Sequence, residues 1–190
     1  MGRWEPNARG RLAEAALELY SERGFEQTTV AEIAKRAGLT ERTYFRHYAD
    51  KREVLFGGSE LQDLLVEVIA GVPESTVPID ALAVGLEALA GVFDERRPFA
   101  RKRQAVIAAN PELQERELIK LASLSVALAD TLRLRGVPEP AASLTAEVGV
   151  AVFKVAFERW ITASDDRPMA PVMRELLDGL KAVTAGGDGA

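Results

Sequence analysis

The chain has 190 residues, with 24 Lys and Arg against 29 Asp and Glu, one histidine and no cysteine. That length suits one small module joined to a larger one, and the absence of thiols excludes disulfides and thiolate chemistry, in agreement with a reducing cytoplasm. The net charge of −5 is unevenly held, since residues 1–52 carry ten basic against eight acidic side chains and the remainder fourteen against twenty-one; only the first quarter is suited to a polyanion.

Apolar residues return at intervals of three and four almost throughout, so an all-α chain of about nine helices is expected. The first runs from about Asn7 to Arg23 on the stripe Leu12, Ala16, Leu19, Tyr20. Gly24 ends it and Phe25 folds back on the stripe. Thr29 caps the second, with Glu32 placed to complete a capping box, and Val30, Ile33, Ala34 and Ala37 face its core. Gly38 stops that helix, Leu39 plugs the corner, and Thr40 caps a third that runs to Tyr48. Asp50 and Glu53 repeat the box and open a fourth, Lys51 to about Gly71. Within it, Gly57 and Gly58 mark a place where bending is easy, as a hinge or for close packing.

Proline then punctuates the chain, and a proline in the first turn predicts helices over about 79–95, 98–108, 111–134, 140–164 and 168–184. The tail, residues 185–190, is expected to be disordered. The longest apolar stretches are broken by Glu87 and Lys154 and fall short of the roughly 20 residues that cross a bilayer. The opening MGRWEPNARG has no apolar secretory core. A cytoplasmic protein without membrane attachment is expected.

GLTERTYFRHY, residues 38–48, holds the one histidine and three of the ten Phe and Tyr side chains. A short helix, a Gly-containing corner and a second short helix make a helix-turn-helix pattern. In the third helix Tyr44 and Tyr48, with Thr43 or His47, turn inward, so Glu41, Arg42, Phe45 and Arg46 point away, on the face that would enter a major groove. Arginine offers a fork to guanine O6 and N7, and Glu41 can accept from cytosine N4. Thr43, His47 and Lys51 suit phosphate oxygens, Lys51 at a helix N-terminus.

GFEQTTVAEIAKRAGLTERTYFRHYADKREVLF, residues 24–56, resembles the DNA-binding segment of the TetR family of bacterial transcriptional regulators, AcrR-like members included. The resemblance implies that Thr28 and Thr29 lie at the start of the second helix, and Thr40, the cap of the third, is counted with them among the DNA-binding residues. It further implies that Thr43, Phe45, His47 and Lys51 touch the sugar-phosphate backbone, and that Glu41, Arg42 and Arg46 lie near base edges. Two departures stand out: Tyr44 replaces a common aliphatic residue and Phe45 a common tyrosine. Having no hydroxyl, Phe45 is left a thymine methyl or a sugar to contact.

The division expected is a DNA-binding domain at residues 1–52 and a helical ligand-binding and dimerisation domain at 53–184. In the helix from Pro140, Leu144, Val148, Val152 and Val155 form one apolar face, and Ala146, Gly149, Val150, Phe153, Phe157 and Trp160 another. The last helix, with Met169, Val172, Met173, Leu176, Leu177 and Leu180, is similar. A helix apolar on both sides must be covered on both, and the family pairs through its last two helices, so a homodimer reading an inverted repeat is expected, its third helices about 34 Å apart. Leu86, Leu89, Phe93, Phe99, Val106, Leu124, Leu128, Phe153 and Phe157 are the candidates to line a pocket for a small effector. RRPFARKR, residues 96–103, is a head-group site, a solvated face or a surface against the DNA-binding module.

The stretch from Arg96 to Leu132 is similar to regulators of mycofactocin systems, which implies acyl-thioesters as an effector class without naming one. No cofactor or metal is expected, and nothing in the chain has catalytic spacing. The expected activity is repression relieved by a largely apolar ligand. The alternative is a helix-turn-helix factor, an activator or one answering to a protein partner, with no small-molecule inducer.

Overall fold

A computed structural model of the protein describes residues 7–184, and the tail expected over 185–190 lies outside them. Nine α-helices and one 3-10 turn, without strands, make up the described residues. These are α1 (Ala8–Arg23), α2 (Val30–Arg36), α3 (Glu41–His47), the 3-10 turn Glu53–Leu55, α4 (Glu60–Gly71), α5 (Pro78–Asp94), α6 (Arg97–Ala108), α7 (Pro111–Leu134), α8 (Ala141–Thr162) and α9 (Met169–Thr184). None is long and apolar enough to cross a membrane.

The fourth helix expected from Lys51 is not continuous. The Asp50 carboxylate does accept from the backbone N–H of Arg52 at 2.7 Å and of Glu53 at 3.3 Å, so the local start signal is obeyed. It yields one 3-10 turn, because Gly57 takes a left-handed φ of 65° and ends the run. Helix α4 begins only at Glu60. The glycine pair is thus a break between two elements, which removes the basis for a soft point inside one helix.

The described chain falls into two compact units. The first joins the residues up to Gly58 with Arg101–Lys120. Its buried side chains include Leu12, Ala16, Leu19 and Tyr20 of α1, Ile33 and Ala34 of α2, Tyr44 and Tyr48, Val54 and Leu55, and Val106, Ile107 and Leu113. Glu53 and Arg116 form a two-bond ion pair, with Arg116 Nη2 2.9 Å from Glu53 Oε2. Arg103 donates to the Leu55 carbonyl at 2.7 Å, pairs with Glu117 at 3.2 Å, and lies over the Phe56 ring. A guanidinium can serve all three because its donors fan out in one plane while its flat face stacks on a ring.

The second unit comprises Ser59–Ala100 and the chain from Leu121 onward. Helices α5, α8 and α9 bury Leu82, Leu86, Leu89, Ala146, Trp160, Met173 and Leu177 against α4 and the end of α7. The close approach of α8 to α5 is possible because residue 149 is glycine: a Cβ there would meet Leu82 Cδ1 at 2.8 Å. Two arginines close helix ends. Arg135 donates to the carbonyls of Ile69, Val72 and Pro73 at 2.5–3.0 Å, finishing α4. Arg97 donates to those of Trp160, Ala163 and Asp165 and lies over the Trp160 ring, finishing α8. Carbonyls that the helix itself leaves unpaired are satisfied in this way.

Candidate nucleic-acid interface

In the first compact unit, α1 is capped by the Asn7 side chain and ends at Gly24 with Phe25 folded under it. Thr29 and Glu32 complete the capping box of α2, with Thr29 Oγ1 accepting from Glu32 N at 3.3 Å and Glu32 Oε2 accepting from Thr29 N at 3.0 Å. The Thr29 backbone N–H, and then the Thr29 hydroxyl, which donates to the same oxygen at 2.9 Å, are the leading reasons the Glu32 carboxyl is held below its ordinary range. Gly38 makes the corner with φ 67°, and the Arg11 guanidinium fills the space beside it while donating to the Ala37 carbonyl. Thr40 Oγ1 then accepts from Thr43 N at 3.2 Å and starts α3.

Helix α3 is seven residues long, and its orientation is set by two tyrosines. Tyr44 is fully buried and Tyr48 nearly so. The Tyr44 hydroxyl donates to the Asp50 carbonyl at 3.0 Å and that of Tyr48 to the Arg9 carbonyl at 3.3 Å. A third hydroxyl, Tyr20, donates to the Lys51 carbonyl at 2.6 Å. Burial is the main cause that pushes all three phenols above their ordinary pKa.

With those rings inward, Glu41, Arg42, Phe45 and Arg46 are exposed together on the opposite face, as the sequence periodicity requires, while Thr43 and His47 are half-buried at its flanks. Partial burial first, then the positive charges of Arg46 and Arg9, lower the His47 pKa. The imidazole Nε2 lies 3.5 Å from Arg46 Nη2.

Four residues of the expected set have their polar atoms already engaged. Thr28 is 1% exposed and its hydroxyl donates to the Gly24 carbonyl at 2.9 Å, so it shapes the turn rather than facing outward. Thr29 and Thr40 are exposed, each with its oxygen engaged as a helix cap. Lys51 is half-buried, its ammonium donating to the Phe25 carbonyl at 3.1 Å above the Phe25 ring; it precedes a 3-10 turn and not the α-helix start expected of it.

Among the effector-lining candidates, Phe93, Phe153 and Phe157 form one aromatic group with ring centroids 5.5–5.8 Å apart. Leu86, Leu89 and Leu128 are fully buried core, and Leu124 packs partly buried against it. Phe99 is half-buried beneath the Arg96 guanidinium. Val106 belongs to the first compact unit, the other eight to the second. A shallow, open crevice between Ala83, Leu86, Glu87, Met173, Arg174 and Leu177 encloses room for little more than one water molecule, far less than an ordinary ligand site. The basic run 96–103 includes Arg97 and Arg103, whose structural roles sequence reasoning missed because the carbonyls they bond lie 48 to 68 residues away. Helix α8 also differs in one detail: Val152 is buried with the core, while Leu144 and Val155 of its expected face are exposed. Among the described residues no group of three His, Asp or Glu could hold a metal ion.

Comparison with known proteins agrees with this geometry. Residues 12–56 match the model described as bacterial regulatory proteins, tetR family, and residues 76–185 that of the MftR C-terminal domain. The Mycobacterium tuberculosis protein named as the mycofactocin biosynthesis transcriptional regulator MftR is 35% identical over 121 residues, 60% of this chain and 58% of that one. The regulator TtgR of Pseudomonas putida is 33% identical over 50% of this chain and 46% of its own. The chain thus spans about half the length of these curated relatives. The solved structure of the TetR-family repressor FadR of Thermus thermophilus, in complex with lauroyl-CoA, shares the fold with a TM-score of 0.57 at 22% identity, covering 95% of this chain and 97% of that one. With more than half of its length in the second match, the chain belongs to the TetR family of bacterial regulatory proteins, and its C-terminal domain is of the MftR type.

Proposed function

We propose that this protein is a transcriptional repressor that binds an inverted-repeat operator as a homodimer and is released by a small, largely apolar ligand. The observation that carries the reading is the outward set Glu41, Arg42, Phe45 and Arg46 on a helix whose other face is locked by Tyr44 and Tyr48. Such a face is open to solvent and has the forked donors that read guanine. The pinned backbone means that little order must be gained on docking.

Self-association is supported by α8, where Leu144 and Val155 are 63% and 47% exposed on the side away from the buried Ala146, Val150 and Trp160. Two copies related by a two-fold axis would present two α3 helices to successive turns of one duplex face. The aromatic group Phe93, Phe153 and Phe157 supports an apolar effector, and the FadR complex with lauroyl-CoA makes acyl-thioesters the first class to try. A ligand can weaken DNA binding only if it favours a conformation that binds DNA less well.

The test is selection of duplexes from a randomised pool by the full-length protein. Enrichment of an inverted repeat with half-sites about one helical turn apart is expected. A pool that remains unenriched removes the reading, and enrichment of single half-sites by a monomer removes the homodimer. Addition of lauroyl-CoA and shorter acyl-CoAs to the selected complex should release DNA in a chain-length-dependent way; indifference to the whole series would exclude this effector class.

A further inference from the structure

Phe45 is 54% exposed at the centre of the outward face of α3, between Arg42 one turn before and Arg46 beside it. A phenyl ring held in water among charged neighbours gains from contact with an apolar group. Its ring stands 5.6 Å from the Tyr44 ring at 78°, and Tyr44 is itself buried and hydrogen-bonded to Asp50. A phenyl side chain has few rotamers to lose on docking.

What the ring can meet follows from the groups available. A phosphate offers only oxygens, for which phenyl has no donor, and the sugars line the walls of the groove, whereas a side chain in the middle of the outward face meets its floor. In the major groove guanine shows N7 and O6, cytosine an amino group, and adenine N7 and an amino group, and burying any of these under a ring leaves a polar atom unpaired. Thymine alone presents a methyl, at C5.

Resting on the DNA-binding reading above, we propose that Phe45 is a specificity-determining residue that reads one thymine in each half-site through its 5-methyl group. Arg42 and Arg46 supply polar contacts on either side, so the methyl contact sets which base is accepted at that position rather than whether DNA is bound.

The experiment takes the duplex selected by the full-length protein and replaces its thymines one at a time by deoxyuridine, which deletes the methyl and nothing else. Affinity is measured by fluorescence anisotropy. At one symmetry-related thymine the wild type should weaken about fourfold, the equivalent of roughly 0.8 kcal/mol for one buried methyl. Phe45→Ala should bind the thymine duplex less tightly and no longer distinguish it from the deoxyuridine duplex, while Phe45→Leu, still apolar, should keep part of the discrimination. Circular dichroism checks that both variants remain folded. Indifference to every deoxyuridine while the duplex is still selected over random DNA overturns this assignment and leaves the DNA-binding reading intact, which points to a sugar contact. Undiminished methyl sensitivity in Phe45→Ala also overturns it. Failure to select any duplex overturns both.

Discussion

The hydroxyl of Tyr44 donates to the carbonyl of Asp50 at 3.0 Å, and through it the end of α3 is tied to the turn that follows. An aliphatic side chain here would fill the same space without holding that carbonyl. Tyr44→Phe should cost about 1–2 kcal/mol, since a partly buried acceptor loses its donor. In a chain of this size that is a fall of roughly 2–8 °C in Tm, read by thermal denaturation at fixed protein concentration. An unchanged Tm would show that water replaces the bond without loss.

Alkali should attack the reading unit through its tyrosines. All three phenols have folded pKa values above the ordinary 10, chiefly through burial. A group whose folded pKa is raised contributes stability that is complete below its unfolded pKa and declines as pH rises above it. Stability should therefore hold up to pH ~10 and fall beyond it. Tyrosinate absorbance should appear together with loss of helix, and ionisation preceding unfolding would contradict the inward placement of the rings.

The Glu53–Arg116 pair is half sheltered, with side chains 18% and 22% exposed. Its loss should fall between that of surface and buried pairs, at about 1–2 kcal/mol for Glu53→Gln or Arg116→Gln. A double-mutant cycle with Glu53→Gln and Arg116→Gln should give a coupling of at least ~0.5 kcal/mol. Strict additivity of the two single losses would mean that each residue acts alone.

On the selected operator, Arg42→Ala and Arg46→Ala should each lose about 1–3 kcal/mol if the guanidinium reads a base, and tolerance should widen at the base concerned. Competition with random duplex separates this from a uniform loss, which would reassign the residue to phosphate.

His47 makes binding depend on pH in a stated direction. Its pKa is lowered in the free protein, mainly by partial burial and then by Arg46 and Arg9. A phosphate beside it would raise that value, so binding would take up a proton and affinity should increase as pH falls from about 7.5 to 6. His47→Gln should flatten the profile. An identical profile in the variant would remove His47 from the backbone contacts.

The helices were legible because their punctuation is local. Capping residues, glycine at corners and proline in first turns act within four residues, and the expected boundaries of α5 to α9 lie within two residues of those found. The inward tyrosines and outward arginines of α3 followed from periodicity for the same reason. The fourth helix did not, since Asp50 and Glu53 give a true start signal whose outcome Gly57 decides by conformation. Arg97, Arg103 and Arg116 were also unreadable: a guanidinium that closes a distant helix or reaches a distant carboxylate looks in sequence like any solvated charge.

One consequence concerns dissection of the molecule. Helices α2 and α3 have seven residues each, well below the ~12–15 at which an isolated helix becomes marginal in water, and Glu53 and Leu55 find their guanidinium partners on α6 and α7. An expression fragment stopped at residue 52, where the motif ends to the eye, discards both anchors and the apolar cover from Val106, Ile107 and Leu113. A minimal version for spectroscopy would have to be assembled from two distant stretches joined by a designed linker.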